Sequence, residues 1–208
     1  MGSLKLYAVS IDTVRDWFAS SDPTSAELLR QAEAFVGSSP HPTLIGKVGP
    51  LFKHPVAPII DLPRPTMDDA RALVEGRTLP PGRLRLGWLV VQHWLDAAAA
   101  GHVEVTLSGQ QLGVLDFRLV SGGLSSQYSL ETIVSRDPQL PVLPAPGMSV
   151  GWMPSAHALR ASAQWPQAAA ELPEDVADAA AALRSFFCQL PAWDAASSQA
   201  VDVLAIHR

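Results

Sequence analysis

The sequence predicts an α+β protein: one mixed or antiparallel sheet, with the first and last strands of the chain paired and helices packed on it. Three observations carry this. The chain opens on "LKLYAVS" (4–10), where Leu4, Leu6 and Ala8 alternate with Lys5, Tyr7 and Val9. It closes on "QAVDVLAIH" (199–207), where Val201, Val203 and Ala205 take one face and Leu204 and Ile206 the other. Between them lie segments with apolar residues at helical spacing behind cap residues. A strand apolar on both faces needs cover on both. The simplest solution lays the two terminal strands side by side under helices, so residues 1–208 form a single domain.

From the N-terminus, Ser10 or Asp12 caps a short helix that carries Val14, Trp17 and Phe18 on one side. Pro23 suits the first turn of a second helix, and Thr24 with Glu27 has capping-box spacing. Leu28, Ala32, Phe35 and Val36 give it an apolar face, and Gly37 ends it. Thr66 with Asp69 repeats the box before Ala70, Leu73 and Val74, with Gly76 at the stop. "LGWLVVQHWLDAAAAG" (86–101) is the most apolar helix: Trp88, Val91, Leu95 and Ala98 recur at helical spacing, and Gly101 closes it.

"HVEVTLSGQQLGVLDFRLVSGG" reads as a hairpin, with Val103, Val105 and Leu107 alternating outward, "SGQQ" as the turn and Val114–Val120 as the return. "SLETIVS" adds a short strand, and "RDPQLPVLPAPGMSVGW" is a proline-rich connector. "SAHALRASAQW" is a short helix. "PEDVADAAAALRSFFCQL" (173–190) is a clear one: Pro173, Glu174 and Asp175 suit its first turn, and Val176, Ala180, Leu183, Phe187 and Leu190 form its stripe.

Composition narrows the function. Net charge is −5 and the 15 basic residues are scattered, which argues against nucleic acid. The charged fraction of 17% lies below the usual ~25%, as expected of a chain with an oligomer or partner interface. No run of 18 apolar residues exists to span a membrane, and "MGSLKLYAVSIDTVRDWF" has no signal-peptide core. The single cysteine, Cys188, forms no intramolecular disulfide and suits a reducing compartment. The expected location is cytoplasmic.

Residues 41–65 stand out. Prolines at 42, 50, 55, 58, 63 and 65 forbid a helix or a central strand, while Leu51, Phe52, Val56, Ile59 and Ile60 are too apolar for a solvated linker. The stretch is expected to be an extended strap laid across the domain. Lys53, His54, Asp61 and Arg64 are its polar groups able to face a ligand.

Four phrases occur in a suggestive order: "LYAVSIDTVRDWF"; "ARALVEGRTLPP" leading to "LGWLVVQHWLDA"; "LPAPGMSVGWMPSAHAL"; and "LRSFFCQL" leading to "AVDVLAIH". In outline this resembles small bacterial proteins of unknown function related to the YfbM-like group. The resemblance implies an α+β single domain and no established activity. The chain departs from that outline at 41–65 and at Pro191, between the last helix and the last strand.

Catalytic motifs are missing. The six histidines make no HxH, HxxxH or HExxH; His93 and Asp96, at i and i+3, are the nearest to a ligand pair, and no metal is expected. Cys188 is expected to be a buried structural thiol behind Phe186 and Phe187. "GGLSSQ" misses the GxSxG elbow, and the dinucleotide and phosphate-loop motifs are absent, so no cofactor is expected. Asp61, Asp68, Asp69, Glu75 and Asp116 are available as acids, but nothing selects a pair. Trp152, in "APGMSVGWMPS", either covers the core or lines a pocket or interface.

The expected function is therefore a non-catalytic protein-binding module, an immunity-type or regulatory partner, binding another protein or itself. The alternative is an enzyme or small-ligand binder with a pocket under the strap, drawing on His54, Asp61, Arg64, His93 and Trp152.

Overall fold

A computed structural model describes residues 2–19, 23–38, 63–170, 172 and 174–208. The body of the strap, with Lys53, His54 and Asp61, lies outside the described residues. Among those described, four strands form one antiparallel sheet: β1 (Ser3–Val9), β2 (Gly101–Thr106), β3 (Ser149–Met153) and β4 (Asp202–His207), in the spatial order β2-β1-β4-β3. The first and last strands pair at the centre, with Leu6 opposite Val103 on one side and Ala205 on the other. That pairing was predicted, and its cause is the two-faced burial of both strands.

Side-chain alternation splits the core in two. Leu4, Leu6 and Ala8 of β1 join Val203 and Ala205 of β4 on one face. Four helices cover them: α5 (Gly109–Ser121), α6 (Leu130–Ser135), α7 (Ser155–Ala168) and α8 (Glu174–Ala196). Tyr7, Val9, Leu204 and Ile206 point the other way, under α1 (Ile11–Asp16), α2 (Pro23–Ser38), α3 (Met67–Val74) and α4 (Leu84–Ala98). The result is three layers, with the sheet in the middle. Trp88 and Trp94 of α4 are fully buried on the second face, and Trp165 stacks on Phe187 at 4.6 Å on the first.

Several caps form as the sequence predicts. The Ser10 hydroxyl accepts the Thr13 N–H, and Thr66 with Asp69 closes a full capping box at α3. Each such cap is worth ~1 kcal/mol. Other expectations are corrected. Residues 109–121 are a helix, not the return strand of a hairpin. Ser108 and Gln111 make a capping box at its start, and Leu112, Leu115 and Leu119 recur at helical spacing toward the core. "SLETIVS" is the helix α6, capped by Ser129, whose hydroxyl accepts the Thr132 N–H. The stretch read as connector contains β3, an edge strand whose Trp152 sits opposite Leu204. Thr24 and Gly37 lie inside α2 rather than at its ends, and Gly101 opens β2 rather than closing α4. Helix α8 runs through Pro191 to Ala196.

Candidate interaction surface

Helix α5 lies on the outside of the first layer. Its inner stripe, Leu112, Leu115 and Leu119, is buried. Its outer stripe is also apolar: Val114, Phe117 and Val120 follow one another at i, i+3 and i+6. Phe117 is 67% exposed, and the two valines are exposed on either side of it. Burying such a phenylalanine is worth ~1.5–3 kcal/mol, so leaving it in water forgoes that gain. Among the exposed positions of α5 only Arg118 is charged. Leu143, the other large apolar side chain that is mostly exposed among the described residues, stands on a connector, and its carbonyl accepts the Trp88 indole N–H at 2.9 Å.

The stripe is presented rigidly. The Ser108–Gln111 box holds the start of α5. Midway along, the buried Asp116 carboxylate accepts the backbone N–H groups of Leu130 and Glu131 at 2.5 and 3.4 Å, which fastens α5 to the N-terminal end of α6. Burial pushes the Asp116 carboxyl above the usual range, and the N–H donors pull the other way.

The remaining sequence-predicted site residues are dispersed. Arg64 precedes α3, and its carbonyl accepts from Arg83 at 3.0 Å. His93 is on α4 and stacks on Phe35 of α2, with ring centroids 4.6 Å apart. Asp96 turns away from it and pairs with Lys5 at 2.6 Å, so the i, i+3 spacing does not make a joint site. Trp152 is on β3, where its indole N–H bonds the Asp137 carbonyl at 3.0 Å and the Arg15 guanidinium stands 5.3 Å from its ring. It also lines an open cleft of about 510 Å³ with Arg15 and Gln199.

The other titratable groups have structural work. Among the described residues the buried acids are Asp69, Asp116 and Asp202, and each accepts backbone N–H groups at the start of a helix. Tyr7 is buried, and desolvation, reinforced by the nearby Asp96 charge, pushes its hydroxyl far above the ordinary value. Burial holds His157 below its usual value, helped by Arg136 and Arg160. Asp68 and Glu75 are exposed and paired with Arg71 and Arg77. Among the described residues no group of three histidine, cysteine or acidic side chains is placed to hold a metal ion. No described helix is long and apolar enough to cross a membrane. Cys188 is exposed, a correction to the buried thiol expected. Phe186, Phe187 and Leu190 take the core side of α8, which turns position 188 outward.

The α5 stripe is hidden in the sequence because period two places Phe117 on one face with Leu115 and Leu119. The i, i+3, i+7 spacing of the leucines was the signal that separates them. Fold and surface together define a three-layer protein with one central antiparallel sheet and an apolar outer helix. No family model matches the chain, and no curated protein or solved structure is significantly similar to it.

Proposed function

We propose that this chain is a cytoplasmic protein-binding module without catalytic activity, an immunity-type or regulatory partner of another protein, and that the outer stripe of α5 is its contact. The observation that carries the reading is Phe117, an aromatic ring two-thirds exposed between two exposed valines on a firmly anchored helix. Aromatic anchors of this kind dominate binding energy when a partner pocket encloses them.

The occupant is another protein with an apolar groove and a neutral or acidic rim. The stripe spans seven residues of helix, from Val114 to Val120, a rise of about 9 Å, and is one side chain wide. Two copies stacked stripe to stripe would bury far less than the ~1,200 Å² of a stable interface. A groove that wraps the helix buries more. Arg118, at the edge of the stripe, sets the charge preference.

The test places a photoreactive benzophenone side chain at position 117 in cells that express the protein, identifies the adduct, and measures binding of the purified partner by calorimetry. The expected result is a heterologous partner whose affinity drops ~30-fold or more for Phe117→Asp. An adduct with a second copy of the chain, no adduct, or an affinity indifferent to Phe117→Asp overturns the proposal.

A further inference from the structure

On the opposite side of the sheet from α5, a cleft of about 410 Å³ opens between α4 and the ends of the strands. Helical spacing builds one wall: Arg85, Leu89 and Gln92 fall at i, i+4 and i+7, on one face of α4. The sheet supplies the floor, with Ser3 of β1, Glu104 and Thr106 of β2, and Arg208 just beyond β4. The connector before β3 closes the third side with Pro146 and Met148. The volume lies within the range of small-molecule sites.

Three donor groups in this cleft lack strong partners. Gln92 is more than nine-tenths buried, yet its Nε2 has no hydrogen-bond partner. A buried amide left in that state costs ~1–3 kcal/mol. Arg85 makes no ion pair or hydrogen bond with any described residue and stands at the cleft mouth. The Arg208 backbone pairs with Ser3, and its half-exposed guanidinium makes one hydrogen bond to Ser3 Oγ at 3.1 Å and one looser contact to Glu104 Oε1 at 3.3 Å. Glu104 is the acid in the described lining, and its carboxylate is turned to Arg208. Two guanidiniums line this space beside a glutamine whose amide can turn its unpaired N–H to a bound group, and together they select an acceptor that carries negative charge.

We propose that the cleft binds a small organic anion. Its carboxylate or phosphate sits between Arg85 and Gln92, with Arg208 turned toward it, and a short apolar body lies against Leu89, Pro146 and Met148. This site is separate from the α5 surface and does not depend on it.

The experiment is thermal unfolding and calorimetry of the full chain with four probe series: inorganic phosphate, phenyl phosphate, straight-chain carboxylates from acetate to hexanoate, and the matching neutral amides. The expected result is a saturable rise in Tm for one anionic series that grows with the apolar body, and none for the amides. Which series responds separates carboxylate from phosphate. Arg85→Gln, at an exposed position, weakens that binding about tenfold or more. Gln92→Leu gives a second readout that a purely structural glutamine would not: it raises the Tm of the unliganded protein, because it removes an unpaired buried amide, while it abolishes the ligand-induced rise. Equal binding of the amides, an undiminished response in Arg85→Gln, or no response from any anion at about 10 mM, which exceeds the Kd of even a weak specific site, overturns the proposal.

Discussion

The Asp202 carboxylate, at the first residue of β4, accepts the Ile11 backbone N–H through Oδ2 at 2.9 Å. Its Oδ1 takes the Ser155 N–H at 2.8 Å. One side chain therefore fastens the starts of α1 and α7, which lie on opposite faces of the sheet. Asn at this position keeps one acceptor and turns a donor toward the other N–H. Asp202→Asn is expected to lower stability by about 1–2 kcal/mol and Asp202→Ala by about 2–4 kcal/mol, since Ala leaves both donors unpaired. Urea unfolding at neutral pH checks both values.

The buried acids differ in their pH dependence. Burial alone would raise the Asp69 carboxyl, but the Arg83 guanidinium and the Thr66 donors outweigh it and hold it below the usual range. Its contribution is fully present above the unfolded-state value of ~3.9 and is lost as pH falls through the lower folded value. Asp202 is raised, chiefly by burial. The folded state then binds the proton more readily, so acidification from neutral toward ~4 adds stability through this group. The difference between wild type and Asp69→Asn should therefore shrink in acid, while the advantage of wild type over Asp202→Asn should grow between pH 7 and pH ~4. Unfolding titrations at half-unit pH intervals separate the opposite slopes.

Gly151 of β3 lies directly against the backbone of α6. A Cβ there would run into the Ile133 carbonyl oxygen and the Val134 backbone, and α6 cannot retreat while Asp116 holds its N-terminal end. Gly151→Ala is expected to cost about 2–3 kcal/mol. Gly109, the first residue of α5, has open space around it and no positive φ. Gly109→Ala is expected to stabilise by ~0.4–1 kcal/mol. A Tm that moves in the same direction for both variants would contradict this contrast.

Strands β1 and β4 were readable because each is apolar on both faces, and α3 because Thr66 and Asp69 mark its start. Residues 109–121 are ambiguous in the sequence because their apolar residues satisfy period two and helical spacing at once; the capping box of Ser108 and Gln111, whose residue types also suit a turn, decides for the helix. Edge strand β3 is short and follows a proline-rich run, so its pairing with β4 is settled by tertiary contact rather than by local pattern. The anion cleft was half legible. Arg85, Leu89 and Gln92 show their common face in the sequence, whereas Arg208 and Glu104 meet only because β4 and β2 flank β1.

Helix α2 is held thinly. Among the described residues its buried apolar side chains are Leu28 and Ala32. The Trp94 indole N–H of α4 donates to the Leu28 carbonyl at 3.0 Å, and Trp17 meets the Trp94 ring edge-on at 6.2 Å. Leu28 lies inside α2, where its carbonyl also faces the helical N–H four residues on, so losing the indole leaves no orphan. Trp94→Phe then forfeits one hydrogen bond and some ring area, about 1 kcal/mol, and the loss falls on the seat of α2. Hydrogen exchange of the α2 amides should accelerate about fivefold, while the amides of β1 and β4 change no more than the global stability requires. Uniform acceleration across the sheet would mean that α2 opens only with the whole protein.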